Sequence, residues 1–60
     1  MIDLKKERTK KALTQEALAA KCGVQRTTIS MIESGENKPS VELAKKIANV
    51  LDLDWTAFFE

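Results

Sequence analysis

Along most of the chain apolar side chains recur three or four positions apart, the spacing of one helix face, and nowhere do they alternate as in a strand. Val41, Ala44, Ile47, Ala48 and Leu51 give the clearest run, and Ser40 stands before it as a helix cap. Leu18, Ala19 and Cys22 line one face of a segment over Gln15 to Lys21, with Thr14 as its cap and Gly23 as its stop. A third segment starts at about Gln25. It turns Ile29 and Ile32 inward and leaves Thr27, Ser30, Met31 and Ser34 on the opposite, small and polar side. Asp3 to Lys11 is built from good helix formers, with Asp3 at the capping position and lysines at the C-terminal end. Asp54 caps a last turn that holds Trp55, Phe58 and Phe59, every aromatic in the chain, so this end is expected to supply most of the bulky core. The prediction is an all-α, compact single domain over residues 1–60 with five helices.

Two features punctuate the pattern. Pro39 lies in the one convincing loop, residues 34–40, bounded on its early side by Gly35. Gly23 lies between the second and third helices, where a left-handed turn lets the chain reverse sharply before Val24. Ala19 is small enough for two helices to cross closely above Val24 and Ile29. A helix, a short glycine turn and a second helix with a polar outer face describe a helix-turn-helix, although periodicity alone describes an αα-hairpin equally well.

Composition narrows the function classes. Sixty residues, 43% hydrophobic and 32% charged, form one small globular unit with a modest core. The single cysteine cannot make an internal disulfide and fits a reducing compartment, the cytoplasm. With no histidine, the usual zinc-ligand sets are also missing, and no cofactor is expected. The longest apolar run, Ala17 to Ala20, is far too short to span a bilayer or form a signal-peptide core. Catalysis has no foothold: there is no glycine-rich phosphate loop, and Cys22 lies at a helix end without a base to activate it. Formal net charge is only +1, but residues 1–32 carry +4 and residues 33–60 carry −3. Such a gradient gives one basic region able to meet an anion.

Leu13-Thr14-Gln15-Glu16-Ala17-Leu18-Ala19, Gly23-Val24, Thr28-Ile29-Ser30, Ile32-Glu33-Ser34-Gly35, and Pro39-Ser40 through Ile47-Ala48 and Leu51 occur in order. This set closely resembles the phage repressor and Cro-type helix-turn-helix family, also called the xenobiotic-response-element family, over nearly the whole chain. The resemblance implies a five-helix repressor-like domain with its helix-turn-helix at helices two and three. It implies a dimeric regulator binding double-stranded DNA, with inverted half-sites about 34–36 Å apart.

Carried onto this sequence, the resemblance places Gln15 on a phosphate at the start of helix two, where free N–H groups favour an anion. Helix three becomes the recognition helix. Its base readers are, in order, Arg26, Thr27, Ser30 and Met31. Arg26 can fork onto guanine O6 and N7 or grip a phosphate, and Met31 can meet thymine methyls or cover the neighbouring helix. Gln25 and Thr28, at the edges of this face, cap the helix or touch the DNA backbone. Ser34, Asn37 and Lys38 fall where the family approaches the far strand, and Lys5, Lys6, Lys10 and Lys11 supply long-range attraction. Arg8 and Glu33 match positions that pair in relatives, an orienting link worth about 0–1 kcal/mol if exposed.

Three positions depart from the family pattern. Ala12 and Asp52 stand where glycine is common at helix ends of positive φ, and Glu7 replaces a residue that is often apolar. A separate oligomerisation module does not fit in sixty residues, so a homodimer, weak or induced by DNA, is expected to use this domain's own surface, with Trp55 as the candidate and Phe58 assigned to the core. The competing reading is a protein-interaction module or antitoxin whose main partner is another protein.

Overall fold

The caps predicted at Asp3, Thr14 and Ser40 are made. In the computed structural model, which describes residues 2–59, the side chains of Asp3, Thr14 and Ser40 accept the main-chain N–H groups of Lys6, Ala17 and Leu43 at 3.0–3.1 Å. These bonds satisfy donors that the first helical turn leaves unpaired. They open α1 (Leu4–Lys10), α2 (Gln15–Cys22) and α4 (Val41–Leu51). Between them lies α3 (Arg26–Ser34), whose N-cap Gln25 makes no side-chain capping bond. That departs from the expectation of a Gln25 cap.

The last element corrects the fifth helix. Residues Trp55–Phe59 form a 3₁₀ helix, so the fold is all-helical, with four α-helices and one 3₁₀ turn among the described residues. Asp54 opens it as predicted, its carboxylate accepting the N–H of Thr56 at 3.0 Å and its hydroxyl at 2.8 Å. Those two bonds hold the Asp54 carboxyl below its ordinary range.

The four α-helices also share one way of stopping. After each, a residue takes positive φ: Ala12 at 57°, Gly23 at 71°, Gly35 at 85° and Asp52 at 58°. The next residue's N–H then reaches back over the last turn: Leu13 to the Arg8 carbonyl, Val24 to Ala19, Glu36 to Met31, and Leu53 to Ala48, at 2.8–3.3 Å. This is the Schellman arrangement, and Leu13, Val24 and Leu53 fold down onto the core as its usual apolar follower.

One cluster of ten residues forms the core: Leu4, Leu18, Ala19, Cys22, Ile29, Ala44, Ile47, Ala48, Leu51 and Phe58. Helix α2 packs against both α3 and α4, the 3₁₀ helix closes on α4, and α1 rests on α3. The bulk is aliphatic, contrary to the expectation from the aromatic tail. Leu18, Ile29 and Ile47 are the largest fully buried side chains, whereas Phe59 is exposed and Trp55 only half-buried. Lys45 sits 5.1 Å above the Trp55 ring, and Phe59 meets that ring edge-on at 6.1 Å. Phe58 alone among the aromatics joins the core, as assigned. Burial pushes the Cys22 thiol up, with Lys46 opposing it, which keeps it a small apolar filler rather than a nucleophile. Glu7 is half-buried and faces Lys10 at 3.4 Å, so the polar substitution in α1 is accommodated by a local pair.

Left-handed backbone costs an L-residue roughly 1–2 kcal/mol that glycine does not incur. Ala12→Gly is therefore expected to stabilise the domain by about 1 kcal/mol, raising the thermal midpoint by about 4–8 °C. Asp52→Gly is expected to give less, because Asp52 also pairs with Lys11 at 3.0 Å. Thermal unfolding of both variants by circular dichroism checks the order.

Candidate nucleic-acid interface

The interface is built outward from one buried ion pair. Arg8, on α1, and Glu33, in the last turn of α3, meet with Nε to Oε2 at 2.6 Å and Nη2 to Oε1 at 3.4 Å. Their side chains are only 9% and 6% exposed, so this is not the modest surface pair considered from sequence. Arg8 also donates from Nη1 to the Leu13 carbonyl at 2.6 Å, pinning the turn that leads into α2. Burial alone would raise the Glu33 carboxyl. Hydrogen bonds from Arg8 and Gln15, with the positive fields of Arg8 and Lys5, outweigh it and hold the group below the ordinary carboxylate range.

Gln15 extends this network to the surface. Its Nε2 donates to Glu33 Oε1 at 2.9 Å, while its Oε1 accepts from Arg26 Nη1 at 3.2 Å. Gln15 and Arg26 are the first helical residues of α2 and α3, so the two helix starts lie within side-chain reach of each other. Each start carries partial positive charge and N–H groups without intrahelical acceptors. Together with the Arg26 guanidinium they make a locus suited to an anionic oxygen. The sequence showed Gln15 at a helix start but not its two partners, which lie 11 and 18 positions away in the chain.

The remaining candidates spread along the outer side of α3. Arg26, Thr27 and Met31 are exposed, whereas Ser30 and Thr28 are half-buried and Gln25 is exposed at the helix entry. Past the end of the helix, Ser34 turns its hydroxyl back onto the Met31 carbonyl at 3.0 Å. The Asn37 main-chain N–H reaches that same carbonyl at 3.3 Å, and its amide donates to the Met31 sulfur, also at 3.3 Å. Met31 is thus an anchor for the following loop as well as an exposed apolar side chain. Lys38 is exposed in that loop, next to buried Pro39. Asn37, Lys38 and Pro39, with Ile2, Leu4, Ile32, Gly35 and Phe58, line a small cavity of about 60 Å³. Of the four lysines in the basic N-terminal cluster, Lys10 and Lys11 are engaged with Glu7 and Asp52.

Residues 4–58 match the helix-turn-helix family of the Cro/C1 type. The chain belongs to that family. Helices α2 and α3 with the Gly23 turn are the helix-turn-helix unit placed there by sequence. Similar proteins include the uncharacterized HTH-type transcriptional regulator YqaF of Bacillus subtilis, 49% identical over 57 residues, a stretch that covers 95% of this chain and 75% of the relative. An uncharacterized HTH-type transcriptional regulator of Archaeoglobus fulgidus is 51% identical over 45 residues, covering 75% of this chain and 64% of its own length. Another, MJ0272 of Methanocaldococcus jannaschii, is 61% identical over 36 residues, covering 60% and 54%. The matched stretch spans less than two thirds of both archaeal relatives. Among the described residues of the helix-turn-helix chain, no helix is long and apolar enough to cross a membrane.

Removing one partner of a buried ion pair strands the other, typically at about 3–5 kcal/mol, comparable with the whole stability of a domain this small. Arg8→Met is expected to leave the domain largely unfolded at 25 °C, and the double variant Arg8→Met/Glu33→Leu to recover much of the loss. Denaturant titration compares them. Glu33 also sets an acid response. Its folded-state value is depressed, so its contribution is complete above the unfolded value of about 4.3 and is lost as pH falls through the lower folded value. The stability gap between the wild type and Glu33→Gln is expected to be widest near neutrality and to narrow below about pH 4.

Proposed function

We propose that the chain is a sequence-specific double-stranded DNA-binding domain that regulates transcription, acting as a repressor on an operator of inverted half-sites. The observation that carries the reading is the meeting of two helix starts at the Gln15–Arg26 pair, on a protein that belongs to the helix-turn-helix family. The relatives' names as transcriptional regulators support it.

In this reading α3 enters the major groove by its N-terminal half. Arg26, Thr27, Ser30 and Met31 face base edges, and the Arg26 fork reads guanine. The starts of α2 and α3, with Gln15, Gln25 and Thr28, approach one phosphate strand. Ser34, Asn37 and Lys38 approach the other. Of this second group Lys38 carries the charge, since the Ser34 hydroxyl is already bonded to its own helix. Arg8 and Glu33 orient both approaches without reading sequence. Residues 1–60 act as one domain, and two copies pair through the surface around Trp55, where Phe59 is 43% exposed.

Selection from a randomised duplex library at near-physiological salt tests the proposal. The expected result is an enriched inverted repeat; failure of a folded protein to enrich any duplex would overturn it and favour a protein partner. On the enriched duplex, Arg26→Ala is expected to lose about 1–3 kcal/mol of discrimination at one base pair. Lys38→Ala is expected to weaken binding evenly across sequences and to reduce the salt slope by roughly one. Equilibrium binding over a series of salt concentrations separates the two effects.

A further inference from the structure

Among the described residues sulfur occurs in Cys22 and Met31, and the two stand in opposite surroundings. Cys22 is 3% exposed, and burial pushes its thiol up, so little of the thiolate that peroxides attack is formed. Met31 is 41% exposed on α3, and a thioether needs no deprotonation to react. Its sulfur is also tied to its surroundings, because Asn37 Nδ2 donates to Sδ at 3.3 Å. The main-chain carbonyl of the same residue takes three donors: Ser34 Oγ and the Glu36 N–H at 3.0 Å, and the Asn37 N–H at 3.3 Å. Met31 thus lies on the outer side of α3 and anchors the loop that carries Lys38.

We propose that Met31 is an oxidation site through which peroxide releases the domain from DNA. The proposal rests on the DNA-binding reading above. A sulfur lone pair attacks one oxygen of hydrogen peroxide, the S–O bond forms and the O–O bond breaks. Sulfur gives up two electrons, and the departing hydroxide takes the proton of the transferred oxygen and leaves as water. A flexible apolar side chain becomes a polar, chiral sulfoxide. In the free protein water solvates the added oxygen, and Met31 has no part in the core, so the fold is kept. Against DNA the same oxygen is an acceptor that a thymine methyl cannot satisfy and a phosphate repels. It is also a stronger acceptor than sulfur for the Asn37 amide and stands one bond farther out, so Asn37 shifts and takes the Lys38 loop with it. The cavity of about 60 Å³ beside Asn37, Lys38 and Pro39 gives that loop room to move. One added atom therefore disturbs a base contact and the approach to the far strand together.

In the test, hydrogen peroxide is added to the protein, mass spectrometry of its peptides locates the added oxygen, and affinity for the enriched duplex is measured before and after. Met31 is expected to gain one oxygen before Cys22 is oxidised, with helical circular dichroism unchanged and affinity reduced about tenfold. A methionine sulfoxide reductase with a dithiol, which removes the oxygen as water while the dithiol closes to a disulfide, is expected to restore the affinity. Met31→Leu is compared only with itself. Whatever its starting affinity, peroxide is expected to leave that affinity in place, although Met1, the chain's other methionine, is still present. Affinity retained by protein oxidised at Met31, an equal loss in Met31→Leu, or oxidation of Cys22 ahead of Met31 would overturn the proposal. Bound duplex is expected to slow the oxidation of Met31, and equal rates with and without duplex would also overturn it. A further measurement needs no DNA. The side-chain amide NMR signals of Asn37 are expected to shift on oxidation, as donation passes from sulfur to oxygen, and unmoved signals would count against the proposal. If the wild type selects no duplex, the DNA reading fails and the release step with it, while the peptide masses and the Asn37 signals still decide whether Met31 is the oxidation site.

Discussion

A charged pair inside so small a domain is the constraint around which the helix-turn-helix unit is arranged. Taking Arg8 and Glu33 out of water is unfavourable unless nearly every polar atom finds a partner. Here Arg8 reaches both Glu33 oxygens and the Leu13 carbonyl, and Gln15 adds a further donor to Glu33. No buried side-chain nitrogen or oxygen is left unpaired among the described residues. The partners come from the end of α1, the turn before α2, the start of α2 and the end of α3. One ion pair therefore links three helices at that edge. An apolar replacement could match its stability, but it could not carry hydrogen-bond direction from the interior to Arg26.

The helix terminators impose a second constraint, on chain length. Each α-helix must end, reverse and release the chain toward the next element within a few residues. A left-handed residue with a 6→1 hydrogen bond achieves this in about one turn of backbone. Glycine meets the requirement at Gly23 and Gly35 without strain. Ala12 meets it at a cost, and Arg8 helps hold it there by bonding the carbonyl of the very next residue. The strain at Ala12 and the buried ion pair are thus neighbours in one piece of structure. Asp52 tolerates the same conformation better and has an exposed partner in Lys11.

Local signals were legible and distant pairings were not. Caps at Asp3, Thr14, Ser40 and Asp54 and stops at Gly23 and Gly35 could be read because each depends on residues within four positions of itself. The aromatic tail misled, since counting bulky residues says nothing about which of them turn inward. Five residues in a 3₁₀ helix direct one of three rings to the core, and the aliphatic side chains of α2, α3 and α4 fill the rest. At the candidate interface, the family pattern located Gln15 and Arg26 and paired Arg8 with Glu33, but it did not give the bonds from Gln15 to Glu33 and to Arg26. A hydrogen bond between residues 18 apart leaves no periodic trace, and an amide on a helix start looks the same whether it faces solvent or a buried carboxylate.

Charge accounting explains why this network matters more than the basic composition of the first half. Lys10, Lys11 and Lys46 face carboxylates, and Arg8 is committed to Glu33, so a large part of the formal positive charge is locally neutralised. Exposed pairs of that kind open readily when a phosphate offers a better partner, whereas the buried one does not. Attraction to a polyanion must then come from a few flexible lysines, which are screened within about 10 Å at ordinary salt, together with two helix starts whose N–H groups act only at contact. In the DNA-binding reading proposed above, a surface of this kind holds any DNA weakly and rewards one register strongly. Specificity in that reading depends on how Arg26 and the two helix starts are presented, and the interior ion pair braces that edge through Gln15.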